Sequence, residues 1–204
     1  MRHKISFYRS NRRTCILPDA GEYTINVYAS NFIGNSAEAD TPVKVEARAP
    51  STVTFKDWDG TVLETQTIRY GKAEVLKKGS DVTVLTIGNT VSKGMGIASL
   101  FDQKNVSCEV ISCRFIKPFD TTTVLKSIKK TKRIVVIEDG TILGGLSTIV
   151  KELLIEYSLM NLETYFYAYP DSFIKHGSIM DLEKKYHLDE ESIYRDLEKK
   201  LLKK

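Results

Sequence analysis

A stretch of eight residues, DVTVLTIG at positions 81–88, is apolar almost throughout. Hydrophobic runs of this length without alternation are typical of strands buried on both faces, as in a parallel sheet covered by helices. Two further runs of strand type follow, CEVISCRF at 108–115 and RIVVIED at 133–139. The pattern therefore predicts an α/β fold built on a buried sheet.

Segments with helical periodicity lie between and after these strands. Apolar residues recur at intervals of three and four, which predicts amphipathic helices packed on the sheet. One helix carries Val91, Met95, Ala98 and Phe101, and a later one carries Ile149, Val150, Leu153, Leu154 and Tyr157. TYFYAY at 164–169 predicts a fourth strand. Short connections between alternating strands and helices imply right-handed crossovers, and hence a three-layer, mainly parallel sheet.

Polar residues stand where three more helices are expected to begin. Asp120 precedes a short helical segment, Ser178 is followed three residues later by Asp181, and Asp189 precedes an apolar series. Side-chain oxygens of Asp and Ser accept hydrogen bonds from the free N–H groups of a first helical turn. We therefore predict N-caps at these positions, with the last helix burying Ile193, Leu197 and Leu201.

The first 69 residues have a different texture. YTINVYAS, TPVKVEA and STVTFKDWDGTVLETQTI alternate apolar and polar residues, and the Asp59-Gly60 pair is a hairpin signal. We predict a small β-rich segment at 1–69 and an α/β domain at 70–204. A β-sandwich needs about seven strands and about a hundred residues, so the leader is too short to be a complete one.

Composition narrows the functional classes. The net charge is +4, from 30 Lys and Arg against 26 Asp and Glu that are dispersed along the chain, and no nucleic-acid-reading motif accompanies them. The sequence contains no run of eighteen apolar residues, so it predicts no membrane span. The first twenty residues lack the apolar core of a secretion signal. We therefore expect no nucleic-acid partner, no membrane and a cytoplasmic location.

Cys108 and Cys113 are five residues apart in a predicted strand, so their side chains are expected on opposite faces. That placement disfavours a disulfide or a shared metal site, and we expect both to fill the core. Gly94 and Gly96 could suggest a dinucleotide fingerprint. The pattern does not fit, because the third glycine position is Ser99 and the glycines fall inside a predicted helix.

Four blocks in order carry a resemblance: YGKAEVLKKGSDVTVLTIG, CRFIKPFD, VIEDGTILGGLSTIVKELL and YPDSFIKHGSIMDLEKKYHLDEESI. Together they resemble the C-terminal, transketolase-like domain of 1-deoxy-D-xylulose-5-phosphate synthase. The first three blocks are also similar to the C-terminal domains of transketolase and of 2-oxoacid dehydrogenase β subunits, which stay open as alternatives. The fourth block, with His176-Gly177-Ser178, is the more selective for the synthase.

Five residues of these blocks are candidates for a site. Glu138 and Asp139 end the third strand, at the edge where open α/β sheets place their functional loops. Gly144 and Gly145 precede a helix, so their bare backbone could admit an anion or allow another chain to approach closely, and we favour close packing. His176 could act as an acid or base, but with no partner identifiable from spacing we favour a loop-positioning role.

The resemblance implies a parent reaction, in which pyruvate and glyceraldehyde 3-phosphate give 1-deoxyxylulose 5-phosphate and carbon dioxide. That product feeds isoprenoid, thiamine and pyridoxal synthesis. In the family, thiamine diphosphate and Mg²⁺ bind the first domain, and the activating glutamate lies on the second. We therefore expect this chain to bind no cofactor or metal, to hold no catalytic residue and to be inactive alone. Its implied partners are the remaining synthase domains or a homodimer.

The leader has a resemblance of its own. Residues from about 15 to 69 resemble fragments of PKD or immunoglobulin-like modules and of internalin-type bacterial surface repeats. The tetrapeptide at 70–73, Tyr-Gly-Lys-Ala, fits both the end of such a repeat and the start of the synthase domain. We therefore hypothesise a fusion joined there, natural or a product of sequence assembly. A surface-repeat binding protein with a passenger α/β domain is the alternative from another functional class.

Overall fold

The computed structural model describes the backbone of residues 3–7, 21–30, 36–45 and 51–56, and continues without a gap from 61 to 202. Contacts within the chain divide it into two units, Met1–Arg69 and Tyr70–Lys204. The boundary falls where the alternating strand pattern of the first 69 residues gives way to the strand and helix pattern of the rest. The interpretation of the first unit as truncated surface modules stays a prediction.

The described part of the first unit consists of strands. Strand β1 (His3–Phe7) pairs in parallel with β2 (Gly21–Ser30), which pairs antiparallel with β3 (Ser36–Val45). A second pair, β4 (Ser51–Lys56) and β5 (Val62–Ile68), is antiparallel, as expected for a hairpin. The Asp-Gly turn predicted between them lies outside the described residues. The sequence did not predict β1.

The second unit is built on a five-stranded sheet with the order β10-β9-β7-β8-β6. Its strands are β6 (Glu74–Lys77), β7 (Val82–Thr86), β8 (Cys108–Ser112), β9 (Arg133–Thr141) and β10 (Glu163–Tyr169). All pairings are parallel except that of β6 with β8. The predicted α/β class with a mainly parallel sheet is therefore confirmed. Strand β6 was not predicted.

Five helices accompany this sheet: α1 (Thr90–Asp102), α2 (Thr121–Thr131), α3 (Leu146–Glu156), α4 (Ile179–Tyr186) and α5 (Glu190–Leu201). The buried side chains of α1 and α5 share one core cluster with one face of the sheet. Those of α2 and α3 share a second cluster with the other face. Every residue of β7 is buried, as its continuous apolar run predicts. The three predicted layers are therefore present.

The predicted helix starts are also confirmed. Asp120 accepts a hydrogen bond from the Thr123 N–H at α2, and Ser178 accepts one from the Asp181 N–H at α4. The carboxylate of Asp189 accepts from the third residue of α5. The stripe predicted for α3 was wrong at its end, because Tyr157 is the C-cap and is 40% exposed. An apolar period alone does not show where the helix stops.

The two strand cysteines lie on opposite faces of the sheet, as predicted. Cys108 belongs to the cluster beneath α1 and α5, while Cys113 belongs to the cluster beneath α2 and α3. Both are free and buried. Burial raises the pKa of each thiol to about 12, so both are neutral and unreactive near pH 7.

The outer edge of β6 is blunted. The strand has only four residues, and its register slips between Val75 and Lys77. Glu74 pairs with Arg114, and Lys77 pairs with Asp102 at 2.9 Å. Short length, irregularity and charge are the usual protections of an exposed strand edge.

Gly94 and Gly96 lie inside α1, which confirms that they are not a phosphate-binding turn. A Cβ at Gly94 would lie 2.5 Å from the methyl carbon of Thr86 on the buried strand below. The Thr86 hydroxyl donates to the Ile111 carbonyl at 3.1 Å, so that methyl has a fixed position. A Cβ at Gly96 would overlap the carboxylate of Glu190, which belongs to an exposed side chain. The glycines therefore serve helix packing.

Within the part of the chain that the structure describes, none of the helices has the length and apolar character needed to cross a bilayer.

We predict that Gly94→Ala lowers the free energy of unfolding by about 1–3 kcal/mol, because the added methyl meets the fixed methyl of Thr86 in a packed core. Gly96→Ala is the matched control. It is expected to raise stability by up to about 1 kcal/mol, since alanine favours the helix and the Glu190 side chain can move aside. Urea unfolding measures both, and a Gly94→Ala protein as stable as the parent would contradict the packing argument.

Candidate interface at the carboxyl edge of the sheet

Strand β9 changes from buried to exposed at its carboxyl end. Its residues from Ile134 to Glu138 are buried, and the three that follow are exposed. Successive side chains of a strand point to opposite faces. Glu138 is 5% exposed and lies under the start of α3, whereas Asp139 faces solvent. The structure thus separates two acidic residues that the sequence placed together.

The Glu138 carboxylate accepts two hydrogen bonds from the backbone at the start of α3. Oε2 accepts from the Leu146 N–H and Oε1 from the Ser147 N–H, each at 2.8 Å. The first N–H groups of a helix have no acceptor within the helix, and they carry partial positive charge. A buried carboxylate needs such donors to offset the loss of water. The Glu138 side chain therefore supplies, from the preceding strand, the capping hydrogen bonds of α3.

The glycine pair explains how the carboxylate reaches the helix. Gly145 is the N-cap residue and offers no side-chain hydrogen bond, and a Cβ there would overlap the Glu138 carboxylate. Gly144 has φ +85°, a left-handed conformation that glycine adopts without strain, and its N–H donates to the Thr148 hydroxyl at 2.8 Å. The anion admitted by these glycines is thus one of the chain's own. Their role at an interface stays a prediction.

Two neighbouring loops leave the sheet at this edge. The Ile142 N–H, after β9, donates to the Tyr169 carbonyl at the end of β10 at 2.8 Å, which joins the two loop bases. Large apolar side chains on these loops and on the start of α4 are exposed: Leu143 56%, Phe173 106%, Ile179 71% and Met180 65%. We call these four the apolar edge residues. Exposed apolar side chains on neighbouring loops are typical of interaction sites.

His176 lies in the loop between β10 and α4 and is exposed. Among residues 61–202, which the structure describes without a gap, no hydrogen bond of its side chain is found. The positioning role therefore stays a prediction, and any partner of the imidazole has to come from beyond these residues.

A second buried carboxylate, Glu109 on β8, was missed by the sequence reading. Ser127 donates to it, and the Lys130 ammonium lies 2.7 Å away. Thr83 is hydrogen-bonded to Ser127 at 2.6 Å and to Thr131 at 2.7 Å. Burial raises the pKa of Glu109, but the bonds from Lys130 and Ser127 outweigh burial and hold it below its ordinary value. The available signal was an acid within the apolar run CEVIS.

Glu109 therefore belongs to a satisfied structural network that ties α2 to the sheet. The pKa of Glu109 is lower in the folded state than in the unfolded state. Its contribution to the stability of the fold is therefore present above the unfolded-state pKa and is lost as the pH falls through the folded-state pKa.

The start of α3 does not fit a diphosphate and its magnesium ion. The N–H groups at the start of α3 already bind Glu138. The described residues also lack a group of three or more His, Cys, Asp or Glu able to hold a metal. Mg²⁺ in such sites is bound by carboxylates together with phosphate oxygens.

The fold belongs to a known class of protein domain. Residues 71–193 match the transketolase C-terminal domain family, to which the chain belongs. It is 31% identical over 158 residues to the 1-deoxy-D-xylulose-5-phosphate synthase of Desulforudis audaxviator, covering 76% of this chain and 25% of that protein. It is 38% identical over 110 residues to the synthase of Desulfotalea psychrophila, covering 54% and 17%. The chain thus spans a quarter or less of these relatives.

A solved structure is similar as well. It is described as "Split gene transketolase, inactive beta4 tetramer", with a TM-score of 0.59 and 26% identity, covering 66% of this chain and 44% of that one. The α/β unit is therefore a transketolase C-terminal domain, homologous to the C-terminal region of 1-deoxy-D-xylulose-5-phosphate synthases, which confirms the resemblance seen in the sequence.

We predict that Glu138→Ala lowers the free energy of unfolding by about 2–4 kcal/mol, because two N–H groups at a buried helix end lose their acceptor. Glu138→Gln keeps one acceptor oxygen and is expected to lose less. Asp139→Asn removes the same charge from the exposed neighbour and should change stability by less than about 0.5 kcal/mol. Hydrogen exchange of the Leu146 and Ser147 amides, with urea unfolding, measures the effect. Equal stability of the Glu138→Ala and Asp139→Asn variants would refute this role of the Glu138 carboxylate.

Proposed function

We propose that the α/β unit serves as the C-terminal domain of a 1-deoxy-D-xylulose-5-phosphate synthase, where it completes the subunit and its dimer contacts. The identity of 31–38% to the two synthases named above supports this parent over transketolase or a 2-oxoacid dehydrogenase. Thiamine diphosphate and Mg²⁺ then bind to the other domains. The role of this unit is to support a site built elsewhere.

The observation that carries the proposal is the exposed apolar character of the carboxyl edge. Phe173 is fully exposed, and the other three apolar edge residues are more than half exposed. Covering a Leu, Met, Ile or Phe side chain is worth about 1.5–3 kcal/mol each, so this edge favours association. The neighbouring domains of a synthase are the partner that the proposal assigns to it, with Asp139 and His176 at the same contact.

A cytoplasmic location and a fused first unit are part of the same proposal. Cys108 and Cys113 are free thiols, which suits the reducing cytoplasm. Residues 1–69 are proposed to be truncated surface-repeat modules fused to this domain.

We predict that the purified chain forms no 1-deoxyxylulose 5-phosphate from pyruvate and glyceraldehyde 3-phosphate when thiamine diphosphate and Mg²⁺ are supplied. The physical reason is that the proposal assigns the cofactor to the other domains, and the N–H groups at the start of α3 are already bound by Glu138. The measurement is product formation by mass spectrometry, with the full-length Desulfotalea psychrophila synthase as the positive control. Product above the enzyme-free background would overturn this part of the proposal.

We also predict that the chain restores activity to the Desulfotalea psychrophila synthase truncated before its C-terminal domain. Phe173→Asp should reduce the restored rate at least about tenfold, since it places a charge in an apolar contact. Met160→Asp is the matched control. Met160 is 66% exposed and lies just before β10, so it is near the amino end of that strand and not near its carboxyl end. Both changes are at exposed positions, so the fold is retained.

Failure of the mixture has a defined follow-up. The truncated synthase and residues 70–204 are fused in one chain, which removes the demand for tight association. Activity of the fusion would support the proposal and assign the earlier failure to weak binding. Inactivity of the fusion as well would refute the proposal.

A further inference from the structure

Strand β10 leaves one edge of the sheet open. It has seven residues, Glu163–Tyr169, and its strand partner is β9. Among the described strands, none pairs with its other side. An open edge presents backbone N–H and C=O groups that can bind an added strand. Unlike β6 at the other edge, β10 is long.

A groove of about 620 Å³ borders β10. Phe166, Tyr167 and Ala168 line it together. Consecutive strand residues alternate between faces, so three in a row can line one groove only where it follows the strand's edge. The groove therefore gives access to the β10 backbone.

The opposite wall is one stripe of α5. Ser192, Arg195, Asp196 and Lys199 line the groove, and they are three, four or seven residues apart except for the adjacent pair Arg195 and Asp196, so they lie on one face of the helix. Tyr186 and the buried Leu188 add apolar surface at one end of the groove, and the exposed His187 lies between them in the chain. The groove thus combines a strand edge, a polar helix face and an apolar end, which suits an extended peptide with alternating side chains.

The charges along the stripe favour an acidic peptide. Asp196 is already satisfied, accepting from the Tyr167 hydroxyl at 2.8 Å and from Lys200 at 2.5 Å. Burial raises the pKa of Asp196, but the bonds from Lys200 and Tyr167 outweigh it and keep the carboxylate ionised. Arg195 pairs with Glu191, yet both side chains are about 70% exposed (68% and 71%), and such pairs are weak. The cations of Arg195 and Lys199 therefore remain open to a ligand.

We propose that this edge groove between β10 and α5 binds an extended acidic peptide segment as a sixth strand of the sheet. Its backbone pairs with the open edge of β10, and its carboxylates meet Arg195 and Lys199. A second copy of the chain is a poorer occupant, because two-fold pairing of β10 would bring these cations towards their own equivalents. The proposal concerns a surface apart from the carboxyl edge and does not depend on the proposed function.

The probe is a fluorescent seven-residue peptide of alternating glutamate and valine, titrated with the full chain and followed by fluorescence anisotropy. We expect saturable binding that is lost when lysine replaces glutamate. A third peptide carries N-methyl groups on alternate residues, which removes the N–H donors of one edge but keeps the charges. It should bind at least about tenfold more weakly, because strand addition rests on main-chain hydrogen bonds.

A charge-reversal variant locates the site. Arg195→Glu combined with Lys199→Glu should weaken binding about tenfold or more. Lys126→Glu combined with Lys129→Glu makes the same change of net charge on α2, whose buried residues share the other face of the sheet, and should leave binding nearly unchanged. Circular dichroism confirms that both variants are folded.

Three results would overturn the proposal. In the first, the N-methylated peptide binds as tightly as the parent peptide, which would show that attraction between charges alone accounts for binding. In the second, the α2 variant loses as much affinity as the α5 variant. In the third, sedimentation shows a dimer that excludes the peptide, which would assign the open edge to a second copy.

Discussion

Two N–H groups at the start of α3 share a single buried carboxylate, that of Glu138. The carboxylate belongs to β9, so the contact fixes where the strand ends and where the helix begins. The loop between them is thereby held at both ends, and it carries Leu143. The hydrogen bond from the Ile142 N–H to the Tyr169 carbonyl then joins this loop to the loop that follows β10. The arrangement of the carboxyl edge therefore depends on one charged side chain in the correct place.

Much of the fold follows from local signals in the sequence. A strand that is apolar on both faces, as β7 is, indicates a covered parallel sheet, and Asp120 and Asp189 mark helix starts by their own chemistry. Strand β6 could not be predicted in this way. Its four residues are all at least partly exposed, and its position is fixed by pairing with β8, more than thirty residues later. Non-local pairing leaves little trace in a short segment.

The sequence named five candidate residues but did not predict how they contact one another. Glu138 and Asp139 carry the same charge, and the place where α3 begins decides which of them is buried: α3 covers Glu138, while Asp139 is the first of the three exposed residues that end β9. The glycine pair indicated an anion or a close approach without indicating that the anion is a side chain of the same loop. The groove beside β10 gave no signal, because its two walls, β10 and α5, come together only in the folded sheet.

The two edges of the sheet differ in a way that limits assembly. At β6 the strand is short, irregular and charged, whereas at β10 it is long and regular over its first five pairs. Open-ended stacking of sheets into fibres requires an acceptor edge and a donor edge on every molecule. Because the β6 edge is blunted, a strand added at β10 leaves no good acceptor edge in this sheet from which the next molecule can continue. Growth through the five-stranded sheet therefore stops after a single step, so this sheet can have one open edge without extending into a fibre.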